Sequence, residues 1–369
     1  MEEVSVLHMS SGDGESSYAN NSSSHEIVIR KSLQVLVDTI EATANHDIFF
    51  NECFKIADLG CSSGKNTLSI TFAIVDMIHK TCSKYNRRTP QFQVYLNDLF
   101  GNDFNNIFKL LPNFYANLKK EKGEDFSPCF VSAVPGSFYD RIFPDKSLHL
   151  VYSSSSIHWL SQVPEGLENN KSNIYMAKTS PPNVFQAYKN QYYTDFTKFL
   201  QLRSKEIVCG GGMVLTFNCR SRANPTSDDC CSAWELLAIV LVDMVKEGLI
   251  PQTKLNSFNI PFYSPCEEEV MNVIENEGSF FLDKLSDFQV NWDPHDTDYA
   301  SLNDSVELSD AHGETYAKVK RAVVEPMLAS HFGSSIIEMV FKKYAKYVSE
   351  HLVRSKTRSF NIVISLTRK

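Results

Sequence analysis

The chain has 369 residues, 43% apolar and 22% charged, which exceeds a usual single core and implies one large domain with an added layer, or two domains. Its net charge of −8, with no dense Lys/Arg tract, argues against nucleic acid as a partner, because phosphate contacts dominate such binding. Nine scattered cysteines form no paired Cys-x-x-Cys set, and there is neither a basic and apolar leader nor a run of about eighteen apolar residues; a zinc site, a disulfide framework and a membrane partner are not expected, and the cytosol is.

In chain order, Ser10 to Ser24 is rich in Ser, Gly and Asn and reads as an extended arm or loop. A helix is predicted from about Glu26 to Ala44, with Leu33, Leu36, Val37 and Ile40 on one face and Ile29 a turn earlier. Next comes Phe54-Lys-Ile-Ala-Asp-Leu-Gly-Cys-Ser-Ser-Gly-Lys-Asn66, an apolar strand that ends in an acid, runs through Gly60 and Gly64 and opens a helix from Thr67 to about Lys80. Glycines there let a ligand approach the backbone, and the helix aims free N–H groups at the same spot. Such a turn either cradles a nucleotide-like ligand or only packs strand on helix. The following strand, Gln91 to Leu96, runs into Asn97-Asp98-Leu99, and an acid at that strand end is where doubly wound sheets hold a ribose diol. It lies about forty residues beyond the turn, against about twenty in the dinucleotide fingerprint, which argues against NAD and leaves room for another adenosine cofactor.

Residues 112–126 read as a helix or surface excursion. A third strand, Phe130 to Val134, closes at Pro135-Gly136, and a fourth, Leu148 to Tyr152, ends in a run of four serines. A helix from about Val184 to Val208 leads into a buried strand, Gly210 to Phe217. Ala233 to Glu247 repeats Trp234, Leu237, Leu241 and Met244 at helical spacing. Late strands are expected at Phe280 to Leu282 and Asn361 to Leu366, with helix-rich sequence from about 220 to 350 forming a cap. The alternation of strands and helices specifies an α/β fold with a mostly parallel sheet covered on both faces.

Several blocks resemble the plant SABATH carboxyl methyltransferases. They are Val6-Leu-His-Met9 with Gly12, Gly14, Glu15, Ser17-Tyr18-Ala19 and Asn21-Ser22; Ala57-Asp-Leu-Gly-Cys61; Leu96-Asn-Asp-Leu99; Asn102-Asp-Phe-Asn105; and Val134-Pro-Gly-Ser-Phe-Tyr139. His158-Trp-Leu-Ser-Gln-Val-Pro164, Phe258-Asn-Ile-Pro261, Glu325-Pro326 and His331-Phe-Gly333 continue the match in collinear order. Ser153-Ser-Ser-Ser-Ile-His-Trp159 looks most like the jasmonate and benzoate/salicylate members. The resemblance implies a class I (Rossmann-like) methyltransferase sheet with an α-helical cap, S-adenosylmethionine as donor, S-adenosylhomocysteine and a methyl ester as products, a small carboxylic acid as acceptor, and a homodimer. It divides the chain into an arm over the active site (1–24), a cofactor-binding α/β domain (25–219 with 276–295 and 355–369) and a helical cap (220–275 and 296–354).

By the same resemblance Asp98 holds the ribose and Leu99 flanks the adenine, while Ser137 and Phe138 form the adenosine-binding pair. Tyr18, Cys61 and Asn66 match positions touching the amino-acid part of the cofactor. Asp58 is similar, although a strand-end Asp also braces such turns. Ser22 belongs to an arm expected to fold over the cofactor and exclude water. Lys65 stands where the family usually has Pro, which would fix φ at the helix start, so a slightly looser turn is expected.

In the acceptor pocket Trp159 offers an indole N–H to a carboxylate oxygen. His25 stands where the family commonly has a donating Gln. Trp234 either stacks on the acceptor or fills core. His158 shapes the pocket as a neutral ring, and Val323 lines it. Ser155 replaces an aromatic and should enlarge the cavity. Lys320 takes an apolar position and either pairs with an acceptor anion or, as the better expectation, snorkels to solvent. Together these departures disfavour plain salicylate. Some relatives hold Mg²⁺ near Asn170 and the segment containing Asn256, Phe258 and Asn259, but Asn256 replaces an Asp, which weakens a hard-cation site, and no metal is assigned.

A carboxylate is already ionised at neutral pH, so methyl transfer to it needs orientation rather than a general base. The missing Ser-His-Asp or paired-carboxylate constellation agrees with that. The rival readings are N-methylation of a xanthine-type alkaloid and a non-catalytic protein that binds a small carboxylate, with a dinucleotide oxidoreductase a distant third.

Overall fold

The computed structural model describes residues 7–44, 52–226, 228–292, 310–355 and 357–369, so Val6 of the arm block lies outside the described residues. Seven strands form one sheet: β1 (Cys53–Leu59), β2 (Gln91–Asp98), β3 (Cys129–Pro135), β4 (Leu148–Ser154), β5 (Ile207–Cys219), β6 (Phe280–Asn291) and β7 (Arg358–Arg368). Their spatial order is β3-β2-β1-β4-β5-β7-β6. The first five run parallel, while β7 is antiparallel to both β5 and β6. Central β1 and β4 are buried along most of their length, whereas the edges β3 and β6 alternate with exposed residues, as half-covered strands must. The order reverses between β1 and β4, which opens a crevice beyond their carboxyl ends.

Helices cover both faces: α1 (Ser23–Thr43), α2 (Asn66–Lys84), α3 (Phe104–Phe108), α4 (Leu111–Lys122), α5 (Pro182–Glu206), α6 (Asp228–Lys246), α7 (Gln252–Ser257), α8 (Glu267–Glu277), α9 (Asp310–Phe332) and α10 (Ile337–Arg354). The uncertain stretch at 112–126 is largely α4, ended by Gly123. Several bounds differ from expectation: α6 starts five residues before Ala233, α5 ends at Glu206, and β5 and β7 are longer at both ends than Gly210–Phe217 and Asn361–Leu366. α1 begins at Ser23, which puts His25 in its first turn. β6 extends to Asn291; its interior Leu-Asp-Lys-Leu-Ser-Asp is polar, and only pairing with β7 makes it a strand.

One buried cluster joins α1 and α2 to β1 and β2; a second joins α5 and the cap helices α6 to α10 to the other face. Gly313 of α9 lies where a Cβ would meet Ser349 Oγ at 2.0 Å and the Ala345 carbonyl at 2.5 Å, so α9 and α10 cross too closely for any side chain there. Among the described residues no helix is long and apolar enough to cross a membrane.

Candidate active site

The crevice deepens into one cavity lined by the turn after β1, the ends of β2 and β4, the loop after β3 and side chains of α1, α6 and α9.

One wall is mostly backbone. Gly60 has φ +78°, and a Cβ on it would sit 2.0 Å from Ser156 Oγ, so only glycine lets β1 turn here. The Gly60 and Cys61 N–H groups donate to the Asn97 carbonyl at 2.8 and 2.9 Å, locking the turn to the end of β2. Both Asp98 oxygens are held by backbone: Ser62 N–H donates to Oδ2 and Leu99 N–H to Oδ1, each at 2.8 Å. Burial pushes the Asp98 carboxyl up from its ordinary range, and those two bonds oppose the shift. Each oxygen keeps a lone pair for a ligand hydroxyl.

The loop after β3 brings in Ser137 and Phe138. Buried Arg203 donates to the carbonyls of Phe138 and Asp140 at 2.8 and 2.9 Å. Its ion-pair partner Glu206 accepts the N–H groups of Ile142 and Phe143 at 3.0 and 3.1 Å. Residues Asn102 and Asn106 clamp the other side, donating to the carbonyls of Ser62 (2.9 Å) and Ser63 (3.0 Å). Asn106 also reaches the Gly12 carbonyl at 3.2 Å, and Asp103 accepts the Gly12 N–H at 3.0 Å, so the arm is fastened to the same turn.

The second wall is side chains. His158 Nδ1 accepts the Asn218 N–H at 3.1 Å, which leaves the ring proton on Nε2 as a donor. Burial, then His25 and Lys320, hold its pKa well below the ordinary value. The His25 ring lies 5.3 Å from that of Tyr18, and burial with nearby Lys320 holds its pKa down to about 4. Both imidazoles are therefore neutral donors. Trp159 meets His158 and Phe262 edge-on, and its carbonyl accepts the Tyr139 hydroxyl at 2.7 Å. Ser155 has φ +58°, a left-handed conformation that a β-branched residue would resist.

Of the expected cofactor residues, Tyr18, Asp98, Leu99, Ser137 and Phe138 line the cavity, whereas Ser22, Asp58, Cys61 and Asn66 are buried behind its surface. Asn66 donates to the Ser22 carbonyl at 3.2 Å, joining the arm to the start of α2. Asp58 accepts from Thr67 Oγ1 at 2.6 Å and braces the turn; burial pushes its pKa up to about 7. Lys65 adopts φ −65°, the value that a proline ring would fix.

All expected acceptor residues line the cavity: His25, Ser155, His158, Trp159, Trp234, Lys320 and Val323. Lys320 departs from the solvent-facing expectation. It sits four residues after Tyr316 on the face of α9 that meets α6, and its ammonium lies 4.6 Å from the Trp234 ring centroid. Sequence reasoning missed the clamps Asn102, Asn106 and Arg203; Asn102-Asp-Phe-Asn105 was the one visible signal.

The magnesium candidates lie outside the cavity and bond one another. Asn170 Nδ2 donates to Asn259 Oδ1 at 3.0 Å and to the Tyr175 carbonyl at 3.1 Å, Asn256 Oδ1 accepts the Ser172 N–H at 3.3 Å, and Phe258 packs on Phe332. Neutral amides already satisfied by protein do not fit a hard dication. Among the described residues no group of three His, Cys, Asp or Glu can hold a metal.

An adenosine-bearing donor fits the backbone wall. Ser62 Oγ is buried there without a hydrogen-bond partner among the described residues, Asp98 retains free lone pairs, and Gly60 leaves the floor open. Strand order and site together define a class I methyltransferase. A structure titled loganic acid methyltransferase with SAH superposes with a TM-score of 0.82 at 30% identity, covering 98% of each chain. A jasmonic acid carboxyl methyltransferase described as probable, from Theobroma cacao, is 46% identical with 100% of each chain covered. A benzoic acid/salicylic acid carboxyl methyltransferase of Petunia hybrida is also 46% identical, covering 100% of this chain and 99% of the relative. Jasmonate O-methyltransferase of Arabidopsis thaliana is 43% identical with 100% of each covered. The family described as SAM dependent carboxyl methyltransferase matches residues 4–369, and the chain belongs to it. It is an S-adenosylmethionine-dependent carboxyl methyltransferase.

Proposed function

We propose that the acceptor is a small plant-type acid, jasmonate-like or benzoate-like, held in the side-chain wall and converted to its methyl ester. The observation that carries this reading is a single cavity in which the Asp98 wall faces neutral donors and one ammonium, a surface suited to an anion. S-adenosylmethionine would supply an electrophilic methyl carbon on sulfonium, to which an acceptor carboxylate oxygen would bond in line as the carbon–sulfur bond breaks and S-adenosylhomocysteine leaves. Asp98 accepts the ribose hydroxyls, and Leu99, Ser137 and Phe138 enclose the adenine. Tyr18 closes the cofactor side, backed by Ser22, Asp58, Cys61 and Asn66. His25 and Trp159 donate to the acceptor carboxylate. Ser155, His158, Trp234 and Val323 shape the pocket.

No residue removes a proton, since an ordinary carboxylic acid is ionised far below neutral pH. His25 orients by donating while His158 shapes the pocket, and the neutrality of both rings avoids an ion pair that would stabilise the ground state. Bringing reactants into line can account for about 7–11 kcal/mol of the barrier.

The test is incubation with methyl-labelled S-adenosylmethionine and a panel of acids, followed by base. An ester releases labelled methanol. Label that survives base would mark N-methylation, and no transfer at all would sink the reading. The homodimer rests on the family resemblance and is tested by light scattering. The cytosol rests on the odd, scattered cysteine set of the sequence and is tested by a fluorescent fusion.

A further inference from the structure

Three cations lie close together on α9, and two of them are paired. Lys318 binds Glu15 at 3.0 Å, and Arg321 binds Glu325 at 2.6 Å. Lys320, between them, points into the cavity and has no carboxylate or hydrogen-bond acceptor among the described residues. Its ammonium touches only aromatic faces, 4.6 Å from the Trp234 ring centroid and 5.6 Å from that of Tyr316. Those faces attract a cation but satisfy none of its three N–H donors in a normal hydrogen bond. Burial accordingly draws its pKa down to about 8. A charge held this way is incomplete without a ligand oxygen.

Position says which oxygen. Tyr18 lies in the field of Asp98, on the donor side. The His25 ring is 5.3 Å from that of Tyr18 and lies in turn in the field of Lys320. Lys320 itself rises from α9 and lies against Trp234 of α6, away from the strand ends that carry Asp98 in chain and in fold. An ammonium gripping the reacting carboxylate would also oppose the reaction, whose transition state loses that negative charge.

We propose that Lys320 is a specificity residue whose ammonium receives a second oxygen of the acceptor, carbonyl or carboxylate, several bonds beyond the carboxylate that is methylated. The inference rests on the methyltransferase reading of the same cavity. It predicts a preference for keto acids or dicarboxylic acids over hydrocarbon acids of equal size.

The experiment compares wild type, K320M and K320R on size-matched acids that carry a distal keto group, a distal carboxylate or only hydrocarbon. Cofactor affinity is measured alongside by calorimetry. In K320M, kcat/KM for the oxygen-bearing acids should fall roughly tenfold or more, mostly in KM, while the hydrocarbon acid changes less than about threefold. Cofactor affinity should stay constant, and K320R should keep the preference. The larger loss between keto acid and dicarboxylate names the oxygen type. An equal loss on all acids would mean that Lys320 grips the reacting carboxylate, and no loss would mean that it is wall; either overturns the inference alone. Wild-type protein that binds cofactor yet methylates no acid overturns the reading beneath it. K320Q carries the same comparison if K320M does not fold.

Discussion

The two walls of the cavity are built differently. On the cofactor side, backbone N–H groups hold Asp98, glycine alone fits at position 60, and Asn102, Asn106 and Arg203 tie down the surrounding loops. On the acceptor side the surface comes from side chains of α1, α6, α9 and the segment after β4, with His25 Nδ1 and the Lys320 ammonium lacking hydrogen-bond acceptors or donors among the described residues. A donor common to many reactions is met by geometry that few substitutions leave intact. An acceptor that differs among relatives is met by groups that single substitutions exchange.

If that contrast is real, damage to the first wall should abolish donor binding, and damage to the second should retune the acceptor alone. Gly60→Ala should have the largest effect. Its methyl group would overlap Ser156 Oγ at 2.0 Å in a left-handed turn, so the turn itself must move and cofactor binding by calorimetry should be eliminated. Asp98→Ala removes two charge-assisted bonds to ribose, at about 1.5–3 kcal/mol each, so cofactor affinity should drop by roughly 10²–10⁴-fold; wild-type affinity in that variant would refute the ribose role. His25→Ala should raise KM for the acid by about tenfold, an effect of about 1.4 kcal/mol, and leave cofactor affinity unchanged.

The smallest effect is a pH dependence. Lys320 carries its charge below about pH 8 and loses it above. KM for an oxygen-bearing acid should therefore climb as pH rises through 8, with cofactor affinity flat. His25 and His158 are already neutral there and contribute nothing to the slope. In K320M the climb should vanish.

Local pattern was enough for the cofactor wall. A buried parallel strand reads as a continuous apolar run, a glycine turn as a gap in it, and the ribose acid falls at the next strand's end; all are short-range consequences of chain geometry. β6 was legible for only three residues, because its interior is as polar as a loop and becomes strand through hydrogen bonds to β7, some seventy residues later in the chain. The asparagines at 170 and 259 looked like remnants of an ion site because sequence shows donor types and not their partners; folded, each satisfies the other.

By itself, then, the order of residues determined an α/β methyltransferase sheet and, through its motif blocks, a carboxylate-methylating family. Tertiary structure alone decided that Lys320 faces inward and that His25 is held neutral beside it. Both depend on which side chains of α1, α6 and α9 converge on the cavity and on how much water that packing removes, and burial where distant segments meet is a long-range property that no window of sequence contains.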